Sequence, residues 1–233
     1  MGAVLRNSST RPADKTGDAL KVSLLADSAI LCESAGPLDP VCQAKFWALA
    51  QVAGEWPEIE EVVPGMNNLM VVMKPGDFDI EQTARQLAQA WPHVAPLSAA
   101  VKVIDVPVVY GGERGQDLPY VAEHAGLSLE EAVAMHAGAE YTVYFLGAHA
   151  GFGYLGGMDA RLETPRLEKP RLSVPAGTVA IGGVQTGVIA LTGPSGWRLI
   201  GAAEVDFFDP FRESPALLNP GDTLRFRCAR IES

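Results

Sequence analysis

Cysteine is scarce in this chain of 233 residues, and the three that it contains, Cys32, Cys42 and Cys228, lie far apart. An odd number of cysteines with no C-x-x-C pair excludes a complete internal disulfide framework and offers no zinc-ribbon spacing. We therefore interpret each of them as a buried thiol, because free cysteine behaves as a small hydrophobic residue.

Basic residues are also few, since 18 Lys and Arg stand against 28 Asp and Glu and give a formal net charge of −10. Such a charge opposes binding to nucleic acid or to an anionic membrane, because both are polyanions. No apolar run approaches the ~20 residues that a membrane helix needs. Residues 1–18 lack the apolar segment of a secretory signal, so we interpret them as a flexible leader of a cytoplasmic protein.

Self-contained catalytic motifs are missing as well. There is no G-x-S-x-G, and Ser195 lies in a Gly-Pro-Ser-Gly turn, where serine is a turn residue rather than a nucleophile. Four scattered histidines without H-x-x-x-H or H-E-x-x-H spacing give no support for a metal site. The absence of G-x-x-x-x-G-K-[ST] excludes a P-loop nucleotide site.

The first part of the chain mixes strands and helices. Helices are predicted to begin at Asp39-Pro40 and after Asp77 or Asp79, because Asp is a favoured N-cap and Pro a favoured first helical residue. Strands are predicted at 21–25, 29–32, 58–63, 69–73 and 101–110. The order β-β-α-β-β-α-β predicts an α+β sandwich domain over residues 19–110, with the helices on one face.

The second part, residues 111–233, begins with two short helices, at 117–124 and 128–136. Ser128 and Glu131 have the spacing of a capping box at the start of the second helix. Strands are then predicted at 140–146, 178–181, 187–191, 197–200 and 222–228, separated by Gly/Pro turns. Strands at such short spacing indicate a closed or nearly closed β-barrel, so the predicted fold class is α+β with a C-terminal barrel domain.

The most irregular stretch of the sequence is residues 147–187, which is richest in glycine over residues 147–157. So much glycine excludes a regular helix and indicates positive-φ turns or close backbone approach. Loops longer than ~12–15 residues are usually functional or disordered. A well-packed surface loop without a ligand is the alternative interpretation.

Two arginines in this stretch, Arg166 and Arg171, each follow a proline that stiffens the backbone. A guanidinium held on a stiff segment suits bidentate capture of a carboxylate or phosphate. The alternative is that the arginines form weak surface ion pairs with Glu163 and Glu168.

Other polar side chains of the stretch complete a candidate site. His149, between small residues, is a candidate general acid or base, although a loop histidine exposed to solvent is the alternative. Gln185 and Thr186 offer the donor and acceptor groups that a polar substrate requires. The remaining candidate substrate-binding residues are Gly151, Tyr154 and Gly156.

Ordered motifs extend through the same half of the chain. They are PVVYGGE at 107–113, GFGYLGG at 151–157, PRL at 165–167, VPAG at 174–177, QTG at 185–187 and GW at 196–197. In this order they resemble the KipI family, which includes the B subunit of bacterial 5-oxoprolinase and proteins labelled allophanate hydrolase subunit 1. Residues 1–100 agree in layout and at 65–69.

This resemblance implies an N-terminal α+β domain, a C-terminal cyclophilin-like barrel and a KipA-like partner (the C subunit of 5-oxoprolinase, or allophanate hydrolase subunit 2). In the 5-oxoprolinase system the pair works with a third chain, the A subunit, to open 5-oxoproline to glutamate at the expense of ATP. ATP is thus the implied cofactor, bound with or by the partner chains. Arg166 and Arg171 would hold the substrate carboxylate or an intermediate, with His149, Gln185 and Thr186 lining the pocket.

The chain departs from the family pattern in one loop. Ala148, Ala150 and Gly153 stand where the family usually has a phenylalanine and two prolines, and His149 lies among them. A loop without those prolines is less pre-ordered, which favours a different substrate preference. Two further functional hypotheses stay open: a KipI-type inhibitor of a histidine kinase, and a non-catalytic structural half of a composite active site.

Overall fold

The computed structural model describes residues 19–34, 39–76, 78–97 and 102–232. The predicted leader at 1–18 and the alternative helix start at Asp77 lie outside the described residues. Within these ranges the chain forms a four-stranded sheet, a closed seven-stranded barrel and a small two-stranded sheet. The four-stranded sheet and the barrel enclose separate hydrophobic cores.

The N-terminal unit is an antiparallel sheet with two helices against it. Its elements are β1 (Leu20–Leu25), β2 (Ala29–Ser34), α1 (Pro40–Gly54), β3 (Ile59–Gly65), β4 (Asn68–Met73) and α2 (Ile80–Ala90), with strand order β1-β2-β4-β3. Alternate residues of β4, Leu69, Val71 and Met73, are buried. They pack in one core with residues of both helices, such as Phe46 and Leu87, so the helices cover one face of the sheet.

Both helices of this unit begin where the sequence predicts. Asp39 accepts hydrogen bonds from the backbone N–H groups of Val41 and Cys42, at 3.3 and 2.9 Å, and Pro40 is the first helical residue. Asp79 accepts from the N–H of Gln82 at 3.0 Å. Side-chain capping satisfies N–H groups that have no partner inside the helix, which fixes each helix start.

The barrel occupies the rest of the chain. Its strands are β5 (Val103–Gly111), β6 (Tyr141–Leu146), β7 (Gly153–Gly156), β9 (Thr178–Gly182), β10 (Gln185–Val188), β12 (Arg198–Ala203) and β13 (Thr223–Glu232), while β8 (Arg171–Val174) and β11 (Gly193–Ser195) form the two-stranded sheet. Around the barrel the order is β10-β7-β6-β13-β5-β12-β9. The predicted α+β class with a closed barrel is therefore confirmed.

One strand belongs to a different unit from the one that the sequence indicated. The sequence pattern assigns residues 101–110 to the N-terminal domain, whereas β5 pairs in parallel with β13 from Val103 to Gly111 and antiparallel with β12. A strand pattern marks a strand but carries no information on its distant partner. The strand before the predicted boundary is thus part of the barrel wall.

Two helices pack on the barrel: α3 (Leu118–Ala125) and α4 (Leu129–Gly138). The predicted capping box is confirmed, because the N–H of Glu131 donates to Ser128 Oγ and the N–H of Ser128 donates to the Glu131 carboxylate, at 3.1 and 2.8 Å. These reciprocal bonds lower the pKa of Glu131. The cap fixes the helix whose far end places His136 inside the barrel.

A buried glutamine joins the two units. Gln43 of α1 is fully buried, and its amide nitrogen donates to the backbone oxygens of Gly65 at 3.0 Å and of Tyr144 in the barrel at 3.4 Å. Its amide oxygen accepts from the N–H of Asn67 at 2.8 Å. The indole N–H of Trp47 also donates to the Tyr144 oxygen, at 2.8 Å. The contact between the units is therefore specific as well as apolar.

The cysteines are free, but only two of them are buried as predicted. Cys32 and Cys42 lie in the N-terminal core, whereas Cys228 on β13 is exposed, which corrects our interpretation of that thiol. Burial raises the pKa of Cys32 to about 12, so this thiol stays protonated. Among the described helices, none is long and apolar enough to cross a membrane.

Candidate functional site

A cleft lies on the outside of the barrel, where the glycine-rich stretch meets β11 and the start of β12. Its volume is about 210 Å³, and it is lined by Ala148, His149, Phe152, Tyr154, Arg166, Ile189, Pro194, Ser195, Gly196 and Trp197. A larger cavity of about 360 Å³ lies against α1, but none of its lining residues is ionisable. The cleft brings several aromatic rings together with Arg166 and His149 of the glycine-rich stretch, so we take it as the candidate site.

Glycines let aromatic rings lie directly on the strands at the floor of this cleft. A Cβ at Gly182 would come within 2.5 Å of the Trp197 indole, and one at Gly187 within 3.3 Å of the Phe152 ring. Tyr154 stacks on Phe145 with ring centroids 4.3 Å apart, and Phe152 meets Trp197 edge to face at 5.4 Å. Close backbone approach, which the glycine content predicts, therefore serves aromatic packing.

Arg166 forms the charged side of the cleft. Its guanidinium carbon lies 5.4 Å from the centroid of the Trp197 ring, within the range of a cation–π contact. The side chain is exposed, and in the part of the chain that the structure describes it forms no ion pair with Glu163 or Glu168. The guanidinium is therefore available to an anion.

His149 lies across the cleft on a tight turn. The turn is closed by backbone bonds from the N–H of His149 to the oxygen of Gly147, at 2.7 Å, and from the N–H of Phe152 to the oxygen of His149, at 3.2 Å. Ala148 and Gly151 adopt positive φ values of 61° and 76° within it. The half-buried imidazole sits at the edge of the Phe152 ring, 5.2 Å between centroids. The loop thus closes without the prolines of the family pattern.

Arg171, the second predicted arginine, is not among the residues that line the cleft. Its guanidinium forms a 3.0 Å ion pair with Asp117, whose side chain is buried. The other carboxylate oxygen of Asp117 accepts from the backbone N–H of Leu199 at 2.7 Å. Arg171 thus compensates a buried charge, and without it the desolvated carboxylate would lose its nearest cationic partner.

Gln185 and Thr186 point to opposite faces of β10, because successive residues of a strand alternate. Gln185 is 7% exposed, and its amide nitrogen has no hydrogen-bond partner among the described residues. A buried donor without a partner is costly, so Gln185 keeps a candidate role in binding. Thr186 is fully buried and faces the barrel interior, away from the cleft.

Inside the barrel, Thr186 ends a chain of hydrogen bonds that the sequence did not reveal. Its hydroxyl donates to the backbone oxygen of Ala180 at 3.1 Å, so the 2.8 Å contact with His136 Nε2 requires that nitrogen to carry the proton. His136 Nδ1 then accepts from the Tyr110 hydroxyl at 2.7 Å. Burial lowers the pKa of His136 to about 3, which keeps the imidazole neutral.

The two predicted glycines of the site serve packing. Gly151 has no room for a side chain, since a Cβ would lie 2.7 Å from that of Phe208. At Gly156 the same atom would lie 2.1 Å from the Tyr144 ring. Neither lines the cleft, whereas Tyr154, the third residue of that group, does.

The cleft is positively charged in an acidic chain. Of the described residues that line it, Arg166 alone is a lysine, arginine or carboxylate residue, although the chain as a whole has a formal charge of −10. Within the described ranges no group of three or more His, Cys, Asp or Glu could hold a metal ion. The arrangement suits a small anion with a flat body, held by a guanidinium and aromatic rings.

Comparison with known sequences gives close relatives. A family described as carboxyltransferase domain, subdomain C and D, matches residues 20–218. A protein of Escherichia coli O157:H7, named as the B subunit of 5-oxoprolinase, is 43% identical over 203 residues, which cover 87% of this chain and 93% of that protein. The likeness therefore extends across both units of the fold.

Solved structures extend the comparison. The protein TTHA0988 is 35% identical with a TM-score of 0.74, and the match covers 88% of this chain but 40% of that one. Kluyveromyces lactis urea carboxylase gives a TM-score of 0.77 at 15% identity, over 92% of this chain and 22% of that one, a likeness that shows the fold alone. This chain thus spans under half the length of either protein.

Proposed function

The chain belongs to the family of carboxyltransferase domains, subdomains C and D, as its resemblance to the KipI family predicts, and on that basis we propose that it is one chain of an ATP-dependent 5-oxoprolinase-type complex. The complex would open 5-oxoproline to glutamate. The E. coli relative is named as a B subunit, which supports assembly with other chains. We propose a KipA-like chain as the direct partner and a relative of the 5-oxoprolinase A subunit as the third chain.

The observation that carries this proposal is the pairing of Arg166 with the aromatic floor of the cleft. 5-Oxoproline is a flat five-membered lactam that bears one carboxylate. The carboxylate would pair with Arg166, while the ring would lie against Trp197 and Tyr154. At about 210 Å³ the cleft is smaller than the ~300–1,000 Å³ typical of sites for drug-sized ligands, so it fits a small acid better than a nucleotide.

His149 is the residue of the cleft that would move a proton. Ring opening adds the oxygen of water to the lactam carbonyl carbon, breaks the C–N bond and leaves the nitrogen to take a proton. His149 lines the cleft, and an imidazole can hold or deliver that proton near neutral pH. Coupling to ATP belongs to the other chains in this proposal, because this chain has no P-loop motif.

The surroundings of the cleft favour a composite site that the partner covers. Ser195, the one hydroxyl-bearing aliphatic side chain at the cleft, accepts the N–H of Trp197 at 3.2 Å and is held in a turn rather than activated by a base. Leu172 of β8 is 93% exposed beside β11, the strand that brings Pro194 to the cleft. In this proposal Leu172 would lie at the contact with the partner chain.

The test is to co-express the chain with its KipA-like partner and the third chain and to measure ATP-dependent release of glutamate from 5-oxoproline. Arg166→Gln should lower kcat/KM by about 10- to 150-fold, since one hydrogen bond to a charged group contributes about 1.5–3 kcal/mol. Arg161→Gln is the matched control, because Arg161 pairs with Asp159 on the surface and does not line the cleft. We expect its activity to match that of the native complex.

Three results would contradict parts of this proposal. A stable, inactive complex of all three chains would exclude 5-oxoproline as the substrate. An active complex that is insensitive to Arg166→Gln would remove Arg166 from the site. Failure to assemble, together with tight binding to a histidine-kinase dimerisation helix, would favour the inhibitor hypothesis.

A further inference from the structure

Directly behind Trp197 lies a group of charged side chains that the proposed reaction does not use. It consists of Asp117, Arg171 and Arg198, and we call it the Asp117 cluster. One oxygen of the Asp117 carboxylate is 3.0 Å from Arg171 and 3.9 Å from Arg198. Asp117 is 8% exposed, so its charge is held in a largely dry environment where it needs these partners.

The cluster holds the backbone at Trp197 and at Leu199, which follows it on β12. The N–H of Asp117 donates to the oxygen of Leu199 at 2.9 Å, and the N–H of Leu199 donates back to the Asp117 carboxylate at 2.7 Å. Arg171 also donates to the backbone oxygen of Trp197 at 3.5 Å. The start of β12, and with it the Trp197 wall of the cleft, is therefore tied to a single carboxylate.

The cluster also reaches the segment that carries Arg166, which a separate backbone bond joins to the segment that carries Trp197. Arg198 Nε donates to the backbone oxygen of Pro165 at 3.1 Å, and the N–H of Leu167 donates to the oxygen of Gly196 at 2.7 Å. Arg198 itself is fixed by the Tyr120 ring, 3.9 Å from its guanidinium carbon. The segment that carries Arg166 is thus fastened to the segment that carries Trp197.

We propose that Asp117 is a positioning residue of the cleft: acting through Arg171 and Arg198, it sets Arg166 over the Trp197 ring without touching the ligand. The proposal rests on the proposed function only for the identity of the ligand. Replacing the carboxylate by an amide leaves two guanidinium groups facing each other without an anion between them. Their repulsion would turn Arg198 away from Pro165 and release Arg166 from Trp197.

The first measurement needs no ligand. In ¹H–¹⁵N spectra of the full chain, Trp197→Phe identifies the indole N–H signal of Trp197 among those of the four tryptophans. Asp117→Asn should shift or broaden that signal and the Arg166 Nε–H signal, while the signal of Trp47 keeps its place. Asp105→Asn is the matched control, since Asp105 pairs with Arg227 at 2.6 Å in the same barrel and shares no hydrogen bond with the cleft.

The second measurement uses 5-oxoproline itself as the probe, titrated into the chain or its complex. Asp117→Asn should weaken binding by tenfold or more, and Asp105→Asn should leave it unchanged. If 5-oxoproline does not bind the native protein, the proposed function is wrong. The Trp197 and Arg166 signals would still test whether Asp117 positions the cleft residues.

A Trp197 signal unmoved by Asp117→Asn would overturn the proposal, as would an equal shift from Asp105→Asn. If Asp117→Asn fails to fold, Arg198→Lys tests the proposal instead. Lysine keeps the positive charge but has no Nε–H to donate to the backbone oxygen of Pro165. A displaced Arg166 signal in that variant supports the proposal, and an unchanged one refutes it.

Discussion

At the scale of single residues, His136 is a buried side chain whose two ring nitrogens are both held by hydrogen bonds. The Tyr110 hydroxyl donates to one ring nitrogen and the other donates to Thr186, so both are satisfied only while the ring is neutral. Burial also raises the pKa of Tyr110, which keeps its hydroxyl a donor. A proton added to His136 would place two hydrogens between the ring and Tyr110. The buried chain of hydrogen bonds therefore holds one protonation state.

This arrangement predicts a specific dependence of stability on pH. The folded-state pKa of His136, about 3, lies below the ~6.5 of an unfolded histidine, so between these values the unfolded chain binds the extra proton. The contribution of neutral His136 to the stability of the folded chain is complete above pH ~6.5. It is lost at about 1.4 kcal/mol per pH unit as the pH falls. Chemical denaturation at several pH values between 7 and 5 should show the free energy of unfolding falling ever more steeply toward this limiting slope.

His136→Gln isolates the effect. The variant should be less stable at pH 7 by about 1–3 kcal/mol, because it leaves buried polar groups imperfectly paired. Its stability should fall less between pH 7 and 5 than that of the native chain. His124→Gln, at an exposed position of α3, serves as the control. Equal slopes for the native chain and His136→Gln would refute the assignment.

Single residues also show which features of the site can be predicted from the sequence and which cannot. Arg166, His149 and Tyr154 lie together because they belong to one continuous stretch, and glycine content identified that stretch. Arg171 looks equivalent to Arg166 in sequence, but its partner, Asp117, lies 54 positions away. Thr186 lies away from the cleft for a related reason, since neither its strand face nor the imidazole 50 positions before it can be inferred from neighbouring residues.

At the scale of elements, local signals predicted well and distant pairing did not. The starts of α1, α2 and α4 were found because their caps depend on residues within one turn. β5 was found as a strand but assigned to the wrong unit, because its main partner, β13, begins at Thr223. Sequence patterns over a few residues contain the information that sets a helix start, but they do not contain the information that pairs two distant strands.

Strand β9 supplies a prediction at this scale. Gly182→Ala should destabilise the chain by about 1–3 kcal/mol and weaken 5-oxoproline binding, because the added methyl would meet the Trp197 indole at 2.5 Å. Denaturant unfolding and titration of 5-oxoproline measure the two effects. Gly193→Ala in β11 is the control, since the nearest atom to its Cβ would be 3.9 Å away. Binding that survives Gly182→Ala would mean that the Trp197 wall is not part of the site.

At the scale of the whole molecule, two cores meet at Gln43 and Trp47. Gln43→Leu removes the bonds to Gly65, Asn67 and Tyr144 and leaves those backbone groups buried without that partner. We expect a loss of roughly 2–4 kcal/mol and the separation of one unfolding transition into two, with the N-terminal unit melting first. Scanning calorimetry distinguishes one transition from two.

Gln51→Leu, at an exposed position of the same helix, should keep a single transition close to the native one. Were Gln43→Leu to unfold in one unchanged transition, the two cores would have to be coupled by their other contacts, among them the bond from Trp47 to Tyr144. In that case the hydrogen bond from Gln43 to Tyr144 would orient the units without joining them thermodynamically.

The parallel pairing of β5 with β13 also sets an order of events during synthesis. Every strand of the N-terminal sheet has left the ribosome once Met73 has emerged, so that unit can form early. The barrel cannot close at that stage. Asp105 of β5 pairs with Arg227 of β13, which is synthesised 122 positions later. Until β13 has been synthesised, β5 and β6 each lack this strand as a neighbour. Nascent chains stalled before Thr223 should therefore be the forms of this protein that chaperones retain and that aggregate most readily.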